Sequence, residues 1–321
     1  MAWPLPAPRT APGRPLVTGR GLLLAAAQVG RALLLLSLVG VLGLVRTSTA
    51  PQIYAGAVAV CLVVLYLCVR RGSDFRVWVA YVLAFVLFAH LRTLADETGL
   101  PARYQYVIAA ENGLFLGTVP TLWLQEHLYR FGRVGALDYY TIVVYLTYFF
   151  APHLSALACW RLDPARFRPF VLALLLTFYL GLALCYLVPT APPWLAGQTG
   201  ELPRVFRIVK DVANSFSPHL YQQGYQVAGS NDVAAMPSLH MAITVVIALA
   251  AGRAHPLLGA LAWLYAASMG LALVYLGEHY VVDLMAGLAT AVVAWRAARW
   301  WWARQQARAA LAVASGQGAR R

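Results

Sequence analysis

Long apolar runs alternate with short polar or arginine-bearing breaks along most of the chain. Run lengths near the ~20 residues that a bilayer requires predict membrane helices. The first run covers about Leu22–Val45 and is interrupted by Arg31, which is expected to snorkel or to face a partner. Further spans are expected at about Tyr54–Cys68, Val77–His90, Tyr140–Trp160, Phe170–Leu187, Pro237–Gly252, Leu257–Leu276 and Tyr280–Trp302. The pattern predicts an all-α fold, a polytopic membrane helical bundle of about eight transmembrane helices. Two long loops, about Leu94–Leu137 and Val188–Ala234, separate the runs. Within the first, Pro120–Phe131 is amphipathic and too short to span, which predicts a helix lying at the interface. Residues 1–20, rich in Pro, Arg and Ala, read as a disordered tail. The apolar stretch behind them is too long for the core of a cleavable signal peptide. Residues 21–302 form the transmembrane domain, and 303–321 a basic tail that is solvated or skims the lipid. No soluble domain and no internal repeat is evident.

Composition supports this reading and adds an orientation. The 321 residues are 61% hydrophobic and only 12% charged, too few charges for a soluble domain of this length. The net charge of +13 is nearly all arginine, Lys210 being the only lysine. In a membrane protein that excess points to cytoplasmic loops and anionic lipid, not to nucleic acid. With the amino terminus inside, sixteen arginines fall in the cytoplasmic regions, and eight basic residues fall in the much longer outer loops. The outer end of span five and the starts of spans six and eight then share the outer, extracytoplasmic face of what is expected to be a bacterial plasma membrane. Trp300, Trp301 and Trp302 form an expected aromatic belt. The four cysteines lie in or beside apolar runs without metal spacing and imply no disulfide framework.

The unusual polar motifs fall on that shared face. The first is Tyr186-Leu187-Val188-Pro189-Thr190-Ala191-Pro192-Pro193-Trp194, whose prolines end a helix sharply. The second is Pro237-Ser238-Leu239-His240. A proline at the first turn leaves unpaired N–H groups that, with the Ser238 hydroxyl, suit phosphate oxygens. The third is Tyr275-Leu276-Gly277-Glu278-His279-Tyr280-Val281-Val282-Asp283. His279 and Asp283 are four residues apart, so on a helix the carboxylate can hold one imidazole nitrogen. Two histidines at the mouths of two membrane helices, one backed by an acid, suggest a nucleophile and a general acid. Taken singly, each histidine also fits an interfacial or capping role.

Together these motifs resemble the type-two phosphatidic acid phosphatase superfamily, whose second and third motifs contain P-S-x-H and H-x-x-x-D. Pro-Thr-Ala-Pro-Pro-Trp, Met-Pro-Ser-Leu-His and Gly-Glu-His-Tyr-x-x-Asp look most like the inositolphosphotransferase branch, which contains fungal inositol phosphorylceramide synthase and bacterial relatives. The resemblance covers about residues 120–295 and implies a six-helix phosphatase-type core. It implies that His279 attacks phosphorus to give a phosphohistidine, that Asp283 fixes its tautomer, and that His240 moves the proton. Ser238, Thr190 and Tyr275 are expected to bind the substrate phosphate. No metal or other cofactor is implied. The expected partners are the bilayer, a phospholipid or lipid phosphate, and an alcohol or water as acceptor. One departure stands out. The superfamily's arginine six residues before the nucleophile is here Leu273, and its Lys-x6-Arg-Pro motif is absent. Charge stabilisation then falls to Arg204, Arg207 or Lys210 in the outer loop, or to helix-start N–H groups.

Other functions fit less well. A lipid or isoprenoid phosphate hydrolase differs only in whether water or an alcohol reaches the phosphohistidine. A transporter would place ionisable groups near mid-bilayer, whereas these cluster at one interface. A metalloenzyme using Glu278, His279, Asp283 and His240 lacks a His-Glu-x-x-His helix.

Overall fold

The structure is a computed structural model that describes residues 61–94, 100–217, 219, 221–222 and 234–315. The expected span Leu22–Val45 lies outside the described residues, as does the start of the next. Two compact units divide at Ala80 and Tyr81. In the first, residues 61–68 are helical and the Arg76 guanidinium lies 4.1 Å over the Tyr66 ring.

The helices are α1 (Asp74–Thr93), α2 (Gln105–Leu114), α3 (Pro120–Leu128), α4 (Ala136–Thr147), α5 (Ala151–Leu162) and α6 (Pro164–Leu187). They continue with α7 (Pro193–Thr199), α8 (Ile208–Phe216), α9 (Leu239–Ala254), α10 (Pro256–Tyr275) and α11 (Val281–Ala314). No β-strand occurs among the described residues, and the chain is a polytopic helical bundle. Among those residues α1, α6, α10 and α11 are long and apolar enough to cross a membrane. The apolar α9 is shorter, at 16 residues. It is the central helix, packed against α5, α6, α10 and α11. Lipid tails are as apolar as leucine, so helices here gain by close approach more than by hiding oily surface. Glycines permit that approach. A Cβ on Gly287 of α11 would stand 2.4 Å from the Ser238 carbonyl oxygen, and one on Gly259 2.6 Å from the Gly252 Cα. Outward leucines such as Leu154, Leu264 and Leu288 are exposed, as suits a lipid-facing surface.

Three departures from the sequence pattern shape the site. The span expected at Tyr140–Trp160 is broken into α4 and α5, which meet at a 55° bend. Pro152, in the first turn of α5, cannot donate the N–H that a continuous helix needs. The two expected loops carry helices, α2 and α3 in one, α7 and α8 in the other; α3 falls within the helix expected over Pro120–Phe131 but ends at Leu128. The last helix does not stop at Trp302 but runs on to Ala314, through most of the expected tail.

Candidate active site

The site is built where α6 ends and α9 and α11 begin. α6 ends at Leu187, just before Pro189, and the chain bends at Val188 and runs through Thr190 to Pro192. Thr190 lies at its centre, wholly buried. The Arg103 N–H donates to the Pro189 carbonyl (3.0 Å) and the Ala191 N–H to that of Arg103 (3.2 Å). The Ala235 N–H donates to Thr190 (3.0 Å), so three loops are stapled at one residue. The Thr190 hydroxyl donates to the Val188 carbonyl at 3.0 Å and pairs with the Tyr106 hydroxyl. Thr190 thus positions the Ser238 loop, and its hydroxyl is already engaged.

The third motif is fixed by a turn that only glycine tolerates. Gly277 has φ +80°, and a Cβ there would meet the Phe206 carbonyl oxygen at 2.8 Å. Beyond it the N–H groups of Glu278 and His279 both donate to the Leu273 carbonyl, at 3.1 and 3.2 Å. Asp283 then closes the first turn of α11. Its Oδ2 accepts from the Tyr280 N–H at 2.9 Å and faces Nδ1 of His279 at 3.3 Å. Its backbone oxygen accepts from the Ser238 N–H at 3.0 Å, which ties the second motif to the third. Ser238 caps α9, its hydroxyl accepting from the Met241 N–H at 3.3 Å, and is itself buried.

His240 and His279 meet with ring centroids 5.7 Å apart at 65°. The α4–α5 break puts two tyrosines on His240, Tyr145 stacked at 4.9 Å and Tyr148 at 4.0 Å. His240 Nε2 is buried without a hydrogen-bond partner among the described residues. Asp283 engages Nδ1 of His279 and so orients the ring.

The sequence-predicted residues do not all converge. His240, His279, Asp283 and Ser238 come together. Tyr275 does not join them: its hydroxyl donates to Asp138 at 2.6 Å within the core cluster that also holds Leu273. Of the three candidate cations, Lys210 is exposed, and Arg204 lies over the rings of Phe206 (4.5 Å) and Phe131 (5.3 Å). Arg207 is the one beside the motif. It pairs with Glu278, next to His279, at 2.8 and 3.3 Å, and its guanidinium lies 3.9 Å over Trp194.

Three residues outside the motifs also shape the site. Gln125 on α3 bonds Phe206 through both amide atoms and donates to the Tyr275 carbonyl, so it clamps the end of α10. Arg92, in the last turn of α1, lies within electrostatic range of His240, Tyr145 and Tyr148. Tyr186 fixes that end of α1 by donating to the Leu91 carbonyl at 2.6 Å. Glu111 on α2 is wholly buried, with Oε1 accepting from the Val282 N–H at 2.9 Å. Burial, together with the charge of Asp283, pushes the Glu111 carboxyl up to about 7 against the backbone hydrogen bonds that lower it. Among the described residues no three His, Cys, Asp or Glu side chains group as metal ligands.

A helical membrane bundle with two facing histidines and a carboxylate at one mouth defines a class of membrane protein. The PAP2 superfamily model matches residues 105–297, and the chain belongs to that superfamily. A curated relative from Bacteroides thetaiotaomicron, phosphoinositol dihydroceramide synthase, is 28% identical over 167 residues, covering 49% of this chain and 54% of that protein. The chain thus spans about half the length of the curated relative that it matches. No solved structure matches.

Proposed function

We propose that the protein is a membrane lipid phosphotransferase that moves a phospho-headgroup from a phospholipid to an alcohol through a phosphohistidine. The observation carrying this reading is the pair of facing rings: His279, held by buried Asp283, against His240 at 5.7 Å. The free ring nitrogen of His279 attacks phosphorus while the P–O bond to the leaving lipid alcohol breaks. Protonated His240 gives its proton to that departing oxygen. Neutral His240 then takes the proton of the acceptor hydroxyl, whose oxygen attacks phosphorus as the N–P bond breaks. Asp283 stabilises the imidazolium character that develops on His279. Arg207 and Arg92 are the cations disposed to meet the phosphoryl charge that Leu273 leaves unanswered. Ser238, as cap of α9, offers its hydroxyl proton to the same oxygens.

The relative's name joins a phosphoinositol group to a dihydroceramide alcohol, and that pair is the first to assay. With phosphatidylinositol labelled in its headgroup and dihydroceramide as acceptor, the labelled phosphodiester product should form faster than free inositol phosphate or phosphate. Release that outpaces transfer with every alcohol tried would make the protein a hydrolase.

The arginine asymmetry supports an extracytoplasmic site. Arg166 donates to the Arg253 carbonyl at 2.7 Å, so the start of α6 and the end of α9 share the arginine-bearing end, opposite the motifs. In a cysteine-free background, Glu201→Cys should react with an impermeant maleimide applied from outside, and Arg253→Cys should not. The reverse pattern would place the histidines in the cytoplasm.

A further inference from the structure

Glu111 is a buried acid that the proposed reaction does not use. It is wholly buried on α2, one turn from Val107 of an apolar and aromatic cluster that includes Tyr280, which lies within its electrostatic range. An acid in such a place costs stability unless its bonds repay it. One bond is clear: Oε1 accepts from the Val282 N–H, 171 residues away and one residue before Asp283. Among the described residues the other oxygen, Oε2, has no hydrogen-bond partner, and neither has Asp283 Oδ1 nor the Tyr280 hydroxyl.

The first turn of a helix presents N–H groups that no backbone carbonyl of that helix can satisfy. In α11 two carboxyls divide them, Asp283 taking Tyr280 and Glu111 taking Val282. That arrangement has two consequences. The start of α11 is already filled by protein carboxyls, so a substrate phosphate must be met by α9 and the arginines instead. The direction in which Asp283 and His279 point also depends on a residue of another helix.

We propose that Glu111 is a positioning residue of the phosphotransfer reaction, a neutral acid that clamps the first turn of α11 and so aims Asp283 and His279. Two buried carboxyls in one shell do not both carry charge at low cost. Asp283 is the one with the charge-accepting partners, the His279 ring and the Tyr280 N–H, so the proton stays on Glu111. The titratable groups within electrostatic range of it are Asp283 and Tyr280 on the α11 side, and Tyr280 in turn faces Tyr104 and Tyr106 at the start of α2. Arg207 lies beyond the Trp194 ring. When Glu111 ionises, as pH rises through about 7, a second negative charge appears beside Asp283 and opposes the approach of an anionic phosphoryl group. Activity therefore falls on the alkaline side.

The inference rests on the phosphohistidine reading, and the test separates the two. Wild type, E111Q and E111A are compared as full-length protein in lipid nanodiscs. The substrate is a phosphodiester donor, whose own charge is constant over this range. Glutamine keeps the acceptor for Val282 and cannot ionise, so E111Q should retain most of the wild-type kcat at pH 6 and show a shallower decline above pH 7, the part that remains belonging to loss of the His240 proton. Alanine removes the clamp. Misalignment of reacting groups by about 1 Å costs on the order of 10²-fold, so E111A should lose kcat on that scale with KM little changed. An E111A protein with wild-type kcat, or an E111Q protein as impaired as E111A, overturns the proposal. Should E111A fail to fold, the E111Q profile decides alone, and an unchanged alkaline decline overturns it. If wild-type protein traps no phosphohistidine, the reading of the reaction itself fails. If it traps one and the Glu111 variants behave as wild type, only the role of Glu111 fails.

Discussion

His279→Ala should abolish turnover for every substrate, whatever its leaving group. The phosphoenzyme forms on this ring, so its loss removes the first step itself. Loss of a nucleophile in comparable covalent enzymes costs on the order of 10⁶-fold in kcat. The site contains no ready replacement. His240 is enclosed by Tyr145 and Tyr148 and has no carboxylate beside it, whereas Asp283 lies 3.3 Å from Nδ1 of His279. The variant should fold, because the backbone bonds that shape the turn at Leu273 and Gly277 involve no imidazole atom. The check is a labelled donor, single-turnover conditions and an alkaline quench, with binding of the donor measured alongside. Retained binding with no turnover and no label is the expected result. Residual turnover at a tenth of wild type or more would mean that phosphorus is attacked by another group.

Much of this site could be read from the sequence because its chemistry sits on local motifs. The four-residue spacing of His279 and Asp283 needs only a helix start to become a pair. Pro237-Ser238 announces the capped helix that follows. Other contributors were hidden for physical reasons. Tyr275 stands within the motif, yet it is the last residue of α10, and its side chain packs back to Asp138 before the Gly277 turn redirects the chain toward His279. Glu111 lies in a stretch that reads as loop, and Gln125 on the expected interfacial helix, where nothing in the pattern marks it out. Each acts through backbone groups more than eighty residues away, at Phe206, Tyr275 and Val282. A lone acid in an apolar stretch was the available signal for Glu111, and the superfamily match from residue 105 takes in its helix. The α4–α5 bend was foreshadowed by Pro152, but apolarity carries across the break, so hydrophobic pattern alone reads one span. That bend is what delivers Tyr145 and Tyr148 to His240.

His240→Ala should fail selectively, in proportion to the basicity of the leaving group. A lipid alkoxide is strongly basic and needs a proton as the P–O bond breaks, while a nitrophenolate departs without one. Positioned acid catalysis contributes about 10²–10⁴-fold, so the variant should lose roughly that much on a lipid donor. With a nitrophenyl phosphate, phosphorylation of His279 should be largely spared. The second half-reaction still needs a base for the acceptor hydroxyl, so the phosphohistidine should accumulate. An alkaline quench, in which phosphohistidine survives better than in acid, should then place label on a peptide containing His279. The ring geometry bears on a competing role. Tyr145 and Tyr148 hold His240 on two sides at 4.9 and 4.0 Å, so truncation also opens a gap beside the site and could displace a bound phosphate. A residue that only positioned phosphate would cost both substrates alike and trap nothing. Equal losses without trapped label would therefore remove proton transfer from His240. A selective loss with label on His279 makes it the acid of the first step and the base of the second.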